Sequence, residues 1–247
     1  ERTEQFLKEG KVVVLTGFQG ISEDGDITTL GRGGSDTTAV AIAAQLGWDC
    51  EIYTDVAAVF TTDPKINPQA KKLDRITYEE LMELSSSGGS ILETRSVELA
   101  KKYNVKLFIG KSLESDKRKG TYVMNDSIYI EEMPVTGISI SDDCAIYSLR
   151  GMENDGVVIA KLFQLLADLH INVDMISKQT YGDNKCTISF SCTDEQARNL
   201  DKAIENHELL SEIAVEKQSN LSILSLVGVG MATATGVAGK VFSILAK

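Results

Sequence analysis

The chain has 247 residues, which is enough for one large domain or two modest ones. Hydrophobic residues make up 43% and charged residues 25% of it, which argues against a disordered or fibrous protein. The formal net charge of -11 argues against a general nucleic-acid binder, which needs clustered Lys and Arg, although backbone amides can still bind single phosphates.

The residue types also argue against several kinds of site. Four cysteines lie far apart with no C-x-x-C pair: Cys50, Cys144, Cys186 and Cys192. They are expected to be reduced, structural thiols of a cytoplasmic protein. Two histidines occur, neither of them in a ligand pattern, so no structural metal is expected. Residues 221–239 carry no charge, but their serines, threonines and glycines favour a strand, turn and helix over a membrane span.

The first 125 residues are predicted to alternate strands with helices, which is typical of an α/β fold with a parallel sheet. A buried strand is expected at 11–17, followed by a loop rich in glycine and threonine at 18–34. Ser35 is expected to cap a helix over 36–46 that Gly47 closes. Further elements are predicted in this order: a strand at 50–55, a helix opened by a capping box at Thr77, a helix at 95–103 and a strand at 105–108.

The second half of the chain contains an internal repeat. Residues 157–167 and 236–246 share Val, Lys, Phe, Leu and Ala at matching positions, and each follows a strand-like run and a glycine-containing turn. The alternative is a chance similarity between two amphipathic helices. The first copy continues with strands at 172–176 and 185–192 and with a helix that Thr193 is expected to cap. This gives the order βαββαβ of a ferredoxin-like fold.

Both ends of the chain are expected to be incomplete. The second copy stops at Lys247, at the end of its first helix, and one strand with one helix cannot close a sheet of its own. The sequence also opens on what is predicted to be the tail of a helix. We therefore expect a chain that lacks part of its first domain and the end of its last one.

The string TTLGRGGSD at residues 28–36, called the anion loop below, has the composition of an anion-binding site. Gly31, Gly33 and Gly34 allow a close backbone approach and lead into a helix N-terminus, whose amides carry partial positive charge. Arg32 adds a guanidinium that can hold a carboxylate or a phosphate in two bonds. The string lacks the Gly-Lys-Ser/Thr ending of a Walker loop. The alternative is a glycine-rich turn with a serine cap and a surface arginine.

A second candidate position lies where a predicted strand ends with Tyr53, Thr54 and Asp55. Ligands of α/β sheets bind at the carboxyl ends of the strands. Asp55 is therefore expected to face a sugar hydroxyl, a metal or a basic partner. The alternative is an aspartate that caps a turn.

Four motifs together make the chain resemble the aspartate kinases of the amino-acid kinase superfamily. They are Gly17-Phe18, the anion loop, the YTD triplet at 53–55 and the TDP triplet at 62–64, in the order of that family. The duplication within 134–247 resembles the paired ACT domains that these enzymes carry for feedback control. The resemblance implies a partial amino-acid kinase α/β sandwich followed by ferredoxin-like ACT domains. The implied domains are the end of the kinase domain at 1–125, a first ACT domain at 134–206 and a truncated second one at 212–247.

The resemblance also implies an activity and a set of site residues. Such an enzyme transfers the γ-phosphoryl group of ATP, bound with Mg²⁺, to the β-carboxylate of L-aspartate, in the first step of lysine, threonine and methionine biosynthesis. Asp36 matches the catalytic position that orients groups at the reacting centre. The positions implied to hold aspartate are Phe18, Thr29, Arg32 and Ser35, of which Arg32 would clamp the α-carboxylate. The implied nucleotide positions are Thr54, Asp55, Phe60, Lys65 and Ser90.

Several residues depart from the family pattern. Ala57 and Ala58 stand where Asp-Gly or Pro-Gly is usual. Phe60 replaces a tyrosine, Lys65 an arginine and Ser90 a lysine expected near the ATP phosphates. Each change is expected to weaken nucleotide binding. The family's Lys-Phe-Gly-Gly-Thr motif, whose lysine neutralises the transferring phosphoryl group, does not occur, so the polypeptide is predicted to have no kinase activity by itself.

For the first ACT copy, the resemblance implies an effector site at the turn from strand to helix, where free amides suit a carboxylate. The implied effector residues are Met152, Asn154, Asp155, Gly156, Val157, Asn172, Val173 and Asp174. Asp174 could pair with an amine, and the effector is lysine, threonine or both. The alternative is that Asn154 and Asp155 only cap the helix and that Asp174 is a surface charge. The corresponding turn of the second copy, residues 228–236, contains no acid.

Three functions compete at this point. The leading one is a cytoplasmic aspartate kinase that forms a homodimer through its ACT domains and binds neither nucleic acid nor membrane. The second is an amino-acid-sensing, dimerising regulatory module without kinase activity. The third is another amino-acid kinase, such as a glutamate or acetylglutamate kinase, against which the anion loop and two ACT copies argue together.

Overall fold

A computed structural model describes residues 2–87, 91–125, 134–182, 184–207, 210 and 213–247. The α-helices are α1 (Arg2–Lys8), α2 (Gly34–Leu46), α3 (Tyr78–Ser86), α4 (Thr94–Tyr103), α5 (Gly156–Asp168), α6 (Asp194–Asn206) and α7 (Val237–Leu245). The strands are β1 (Gln19–Ile21), β2 (Ile27–Thr29), β3 (Cys50–Thr54), β4 (Arg75–Ile76), β5 (Leu107–Lys111), β6 (Thr121–Val123), β7 (Gly137–Glu153), β8 (Ile176–Tyr181), β9 (Lys185–Cys192) and β10 (Ala214–Val227). Short 3₁₀ helices lie at Lys117–Lys119 and Val229–Ala232.

The chain divides into two compact units. The first unit contains Glu1–Ser139 together with Ser225–Lys247, and the second contains Ile140–Leu224. The division falls within β7 and within β10. The domain boundaries expected from the sequence, at 1–125, 134–206 and 212–247, stay a prediction.

The larger sheet of the first unit has the strand order β3-β5-β6-β4. β3 is parallel to β5 and β4 is parallel to β6, whereas β5 and β6 are antiparallel. The predicted α/β class is confirmed, but the expectation of a purely parallel sheet is wrong. The connection from β5 to β6 contains only a 3₁₀ turn, and so short a connection joins antiparallel neighbours without a crossover helix.

The core of the first unit lies between this sheet and the helices α2, α3 and α4. Val40, Tyr78, Leu81, Val97 and Ile109 have no or almost no exposed surface there. Burial of large apolar side chains stabilises the fold by about 1.5–3 kcal/mol for each of them. The hydroxyl of Tyr78 donates to the carbonyl of Val105 at 2.7 Å, so its polar end is satisfied inside the core.

Two sequence expectations about the start of this unit are wrong. Residues 11–17 form no strand in the part of the chain that the structure describes, and Val12 and Val14 are about 90% exposed. An apolar run becomes a buried strand only where a neighbouring strand pairs with it, and the described sheet ends at β3. Helix α2 begins at Gly34, one residue before Ser35, because the left-handed Gly33 (φ 65°) is its N-cap.

Other local signals are confirmed. Gly47, in the left-handed region at φ 67°, ends α2 as expected. Thr77 and Glu80 form the predicted capping box at the start of α3. Helix α4 begins at Thr94, close to the predicted position.

The second unit has the predicted order βαββαβ, built from β7, α5, β8, β9, α6 and β10. Its sheet has the strand order β10-β7-β9-β8, and β9 is antiparallel to both β7 and β8. Tyr147, Leu162, Ile188 and Phe190 form its core with at most 1% of their surface exposed. The strand predicted at 172–176 is displaced towards the C-terminus, because β8 starts only at Ile176. Asp174 and Met175 before it still exchange backbone hydrogen bonds with Ser191.

The last residues of the chain return to the first unit. The amide of Thr136 donates to the carbonyl of Val227 at 2.7 Å, and Val227 belongs to the core of the first unit. Gly228 lies so close to Pro134 that a β-carbon would meet the proline carbonyl oxygen at 2.1 Å, so only glycine fits there. No helix in the described ranges combines the length and the apolar character needed to cross a membrane.

Candidate functional site

The anion loop connects the hairpin of β1 and β2 to the first turn of α2. Gly31 and Gly33 have positive φ angles of 79° and 65°, which a residue with a β-carbon rarely adopts. At Gly33 a β-carbon would also meet the Cβ of Glu93 at 2.2 Å, so this glycine is required by space as well as by backbone conformation. At Gly34 a β-carbon would lie 2.8 Å from the ring of Phe18. The loop is thus packed against other residues on two sides.

Phe18 is fixed to the anion loop by its backbone and by its ring. Its φ angle of 71° is unusual for a bulky residue and costs free energy. Its carbonyl accepts from the amide of Leu30 at 3.0 Å, and its amide donates to the hydroxyl of Thr38 at 3.2 Å. Strained residues held in place by their surroundings cluster at functional sites, which agrees with the role implied for Phe18.

The other residues implied to hold aspartate lie in or beside this loop. Thr29 ends β2, Arg32 is exposed between two left-handed glycines, and Ser35 is exposed in the first turn of α2. Their places along one short segment make a common site possible. Their binding roles stay a prediction.

Asp36 lies partly buried in the first turn of α2. Burial raises the pKa of its carboxyl above the usual value, and the nearby charge of Glu93 raises that pKa further. Burial also raises the pKa of the Cys50 thiol to about 11, with the charge of Asp36 as the next cause. Cys50 is therefore a neutral, unreactive thiol beside the site.

Sequence reasoning missed two residues at the start of α4 that contact the anion loop, the N-cap Glu93 and Arg95. Glu93, which precedes α4, covers Gly33, and the Arg95 side chain donates through Nη1 to the carbonyl of Leu30 at 3.2 Å. Both residues are remote from the loop along the chain. The nearest sequence signal is Ser90, which departs from the family pattern shortly before Glu93 in the chain.

Two of the implied nucleotide residues stand at the carboxyl end of β3, which is parallel to its neighbour β5. Thr54 ends β3, and its carbonyl accepts from the amide of Ser112, which follows β5, at 2.8 Å. Asp55 is exposed and accepts from the Thr54 hydroxyl at 2.9 Å, an arrangement typical of a turn. The position fits a ligand at the strand ends.

A small cleft opens beside these strand ends. Its volume is about 50 Å³, well below the roughly 300–1,000 Å³ of ligand pockets that enclose their ligands. It is lined by Ala57, Phe108, Gly110, Lys111, Glu114, Asp116, Lys119 and Gly120. The cleft is thus too small to enclose a ligand of ordinary size, and Lys111 and Lys119 are the cationic side chains among the residues that line it.

The remaining implied nucleotide residues lie elsewhere along the chain. Phe60 forms an isolated antiparallel bridge with Lys72, and Lys65 is exposed in a turn in which its amide donates to the Asp63 carboxylate at 2.8 Å. Ser90 lies outside the described residues. The structure thus brings Thr54 and Asp55 together, while the nucleotide roles of Phe60, Lys65 and Ser90 stay predictions.

The implied effector residues of the second unit have unequal access. Asp155 is the N-cap of α5, and its Oδ1 accepts from the amides of Val157 at 2.7 Å and Val158 at 3.3 Å. Gly156 opens the helix and Val157 is 64% exposed. Met152 is 2% exposed and belongs to the core, so it contributes packing and little ligand contact.

The other implied effector residues lie just before α5, at Asn154, or after it, at residues 172–174. The amide of Asn154 donates to the carbonyl of Asn184 at 2.8 Å. Asn172 is exposed, and Val173 packs partly against the core of the second unit. Asp174 is exposed, and its amide donates to the carbonyl of Ser191 at 3.1 Å. The capping role of Asp155, one of the alternatives considered above, is therefore present in the structure.

The turn of the second copy receives its acid from another element. Glu80 of α3 is 8% exposed, and its Oε1 accepts from the hydroxyl of Thr136 at 2.5 Å and from the amide of Val229 at 3.2 Å. Its Oε2 accepts from the amide of Thr77 at 3.2 Å. Among the described residues, no group of three or more His, Cys, Asp and Glu side chains is placed to hold a metal ion.

Comparison with known proteins gives relatives across the whole chain. Residues 1–111 match the model of the amino acid kinase family. An aspartokinase of Bacillus sp. (strain MGA3) is 40% identical over 100% of this chain and 60% of that protein. Aspartokinase 2 of Bacillus subtilis (strain 168) is 42% identical over 98% of this chain and 59% of that protein. The chain thus spans about 60% of the length of these curated relatives.

A solved structure of similar fold carries ligands. E. coli aspartokinase III in complex with aspartate and ADP matches 98% of this chain and 55% of its own, with a TM-score of 0.75 and 27% identity. The same E. coli protein in complex with lysine and aspartate also gives a TM-score of 0.75.

Proposed function

We propose that this chain, which belongs to the aspartate kinase family, supplies the aspartate-binding and regulatory parts of an enzyme that phosphorylates the β-carboxylate of L-aspartate with MgATP. The observation that carries the proposal is the anion loop. Its glycines open the start of α2, and Arg32 is exposed within it. An open helix start beside a guanidinium suits a small dicarboxylate.

In this proposal, different residues of the anion loop contact different parts of the aspartate. Arg32 holds the α-carboxylate in two bonds, and the first amides of α2 with Ser35 and Thr29 orient the rest of the molecule. Asp36 is the catalytic residue that orients groups at the reacting centre. Phe18 closes one side through its ring, which lies against Gly34. Catalysis of this kind depends mainly on positioning and charge neutralisation.

ATP, bound with Mg²⁺, is the second substrate in this proposal. Thr54 and Asp55 would receive it at the carboxyl end of β3, with Phe60, Lys65 and Ser90 as further contacts. The E. coli relative whose structure contains aspartate and ADP supports a nucleotide site in the same family. The missing Lys-Phe-Gly-Gly-Thr motif means that this polypeptide by itself lacks the lysine that neutralises the transferred phosphoryl group.

The second unit is the regulatory part, and its ligand would be an amino acid. The E. coli relative in complex with lysine and aspartate favours lysine, with threonine as the alternative. The ligand's carboxylate would bind at the start of α5 and its amine would pair with Asp174. The Asp155 carboxylate already accepts from two amides there, so the ligand would share or exchange these hydrogen bonds.

We also propose that the protein is cytoplasmic and forms a homodimer. All residues of the outer strand β8 are exposed, and such an open sheet edge is a natural surface for pairing with a second copy.

An amino-acid-sensing module without kinase activity is the second candidate. The observation that favours it is the complete βαββαβ unit. In this case the second unit would bind its amino acid while the anion loop bound no substrate.

Calorimetry and an activity assay on the 247-residue chain separate the two candidates. We expect binding of aspartate, competition by succinate, and no release of ADP from MgATP in a coupled assay. Arg32→Gln should abolish aspartate binding, while the control Arg118→Gln, in an exposed turn, should not. Binding of lysine or threonine without any binding of aspartate would favour the sensing module, and robust ADP release would contradict the predicted inactivity.

A further inference from the structure

Two side chains at the start of α4 contact the anion loop. The Glu93 side chain lies against the Cα of Gly33, close enough to leave no room for a β-carbon. On the other side of Arg32, the Arg95 guanidinium donates to the carbonyl of Leu30 at 3.2 Å. These two contacts fix the backbone before and after the exposed Arg32.

Helix α4 is a rigid support for both contacts. Val97 and Ala100 on its inner face have no exposed surface and belong to the core of the first unit. The hydroxyl of Ser96 donates to the Glu93 carbonyl at 2.7 Å and so fixes the backbone at the helix start. A group carried on such an element holds its neighbour more precisely than a loop would.

We propose that Glu93 and Arg95 are positioning residues for the amino-acid substrate, which they influence by shaping the anion loop around Arg32. The inference rests on the proposed function and adds to it two residues outside the set that the family resemblance assigned. Their effect is indirect, because neither needs to contact the substrate. Errors of about 1 Å in the placement of binding groups can cost roughly a hundredfold in rate.

Glu93 has a second effect, which is electrostatic. Its negative charge lies near Asp36, so the loop presents a guanidinium and, close by, two carboxylates. This arrangement matches a zwitterion, whose carboxylate would face Arg32 and whose ammonium would face the acids. The raised pKa of Asp36 supports this neighbourhood: among the described residues the charge of Glu93 raises that pKa, and the charge of Asp36 in turn raises the pKa of the Cys50 thiol on β3.

Three variants of the whole 247-residue chain test the proposal. Glu93→Gln keeps the packing on Gly33 and removes the charge, whereas Glu93→Ala removes both. Arg95→Gln removes the bond to Leu30. Glu98→Gln, at an exposed position of α4, is the matched control. The measurements are hydrogen exchange at residues 30–34, an NMR titration of the Asp36 carboxyl and calorimetry with L-aspartate.

We expect Glu93→Ala and Arg95→Gln to speed amide exchange in the loop by about tenfold, because the loop loses a fixed contact. Aspartate affinity should fall by about tenfold in both. Glu93→Gln should keep the slow exchange but titrate Asp36 at lower pH than the wild type. These outcomes would support the positioning role.

The proposal is overturned if the amides of residues 30–34 exchange at the same rate, and the Asp36 carboxyl titrates at the same pH, in Glu93→Ala and Arg95→Gln as in Glu98→Gln. If the wild-type chain binds no aspartate, the proposed function fails, yet exchange and titration still decide whether Glu93 and Arg95 position the loop. Glu93→Gln keeps the question answerable should Glu93→Ala fold poorly, because it changes charge at nearly constant shape.

Discussion

Helices α2 and α5 both begin at turns where the sequence predicted an anion, but their first amides are used differently. At α5 the Asp155 carboxylate accepts from the amides of Val157 and Val158. At α2 the N-cap is Gly33, which has no side chain to cap the helix, and the amide of Gly34 donates to the carbonyl of Gly31 at 3.1 Å. At a helix start without a side-chain cap, the amides that make no internal hydrogen bond can bind an external anion. At a capped start, the external anion must first displace the carboxylate of the chain itself.

A third turn extends the comparison. At the turn of the second copy the amide of Val229 donates to the buried Glu80 carboxylate of α3. An acid therefore lies at this turn although its own sequence contains none. At two of the three turns a carboxylate of the chain itself accepts from the turn amides, whereas in the described residues no carboxylate accepts from the first amides of α2.

The largest expected effect comes from removing the internal carboxylate at the third turn. Glu80→Ala should lower the free energy of unfolding by about 3 kcal/mol, because the Thr136 hydroxyl and the Val229 amide lose a buried acceptor and the Thr77 capping box is lost. Urea denaturation measures the change.

Glu79→Ala is the control for this prediction. Glu79 lies on the same helix, and its partly exposed pair with Lys101 at 2.8 Å should contribute less than about 1 kcal/mol. Equal losses in the two variants would show that the buried contacts of Glu80 do not stabilise the turn.

The next effect concerns the open turn itself. Gly33→Ala should lower the free energy of unfolding by about 2 kcal/mol, because alanine at φ 65° is strained and its β-carbon meets Glu93. Aspartate affinity should fall about a hundredfold as the loop shifts. Denaturation and calorimetry report the two effects separately.

Gly25→Ala separates strain from crowding. Gly25 has a similar positive φ of 87°, but a β-carbon there would meet nothing within 4 Å. It should cost about 1 kcal/mol for the backbone alone and leave aspartate affinity unchanged. An equal loss of affinity in both variants would contradict the role of the Glu93 contact.

The three turns also differ in how much of their structure could be predicted from the sequence. The capping box at Thr77 and the order βαββαβ follow from local spacing, and both are confirmed. Ser35 looked like a cap because serine before aspartate is a common helix start, yet the freedom of Gly33 to adopt a positive φ lets the helix begin earlier.

Contacts between segments that are remote along the chain could not be predicted from the sequence. Nothing local in the chain joins Glu93 to Gly33 or Glu80 to Val229, because each pair is created by packing of different elements. The exposure of residues 11–17 has the same cause, since an apolar run shows its propensity and not whether a neighbouring strand will pair with it. The site was thus predictable as a loop, and its supports were not.

A smaller effect is expected at the capped turn of α5. Asp155→Ala should cost about 1 kcal/mol through the lost cap. It should also raise lysine affinity if the ligand's carboxylate uses the freed amides, and lower it if Asp155 itself binds the ligand. Asp168→Ala, near the other end of α5, where the carboxylate accepts from the Gln164 side chain, is the control. Unchanged lysine affinity in Asp155→Ala would exclude this turn as the effector site.

The smallest expected effect is a stability gain at the open turn. The pKa of Asp36 is raised in the folded state, so the folded protein holds the proton more tightly than the unfolded chain. Its contribution to stability is therefore present at low pH and is lost as the pH rises from the usual value of 3.8 through the raised pKa. Asp36→Asn should remove this loss and stabilise the protein at pH 7, by less than about 1 kcal/mol because solvent screens a half-buried charge.

Thermal denaturation of wild type and Asp36→Asn between pH 4 and pH 7 tests the sign, on a range chosen to cover roughly the titration of a raised carboxyl. The difference between the two proteins should grow with pH, while Asp24→Asn, at an exposed turn, should show no such trend. Aspartate binding should weaken in the same Asp36→Asn variant. A more stable protein that binds less well would mean that the open turn keeps a destabilising carboxylate for its ligand, whereas a constant difference across this pH range would refute the electrostatic account of Asp36.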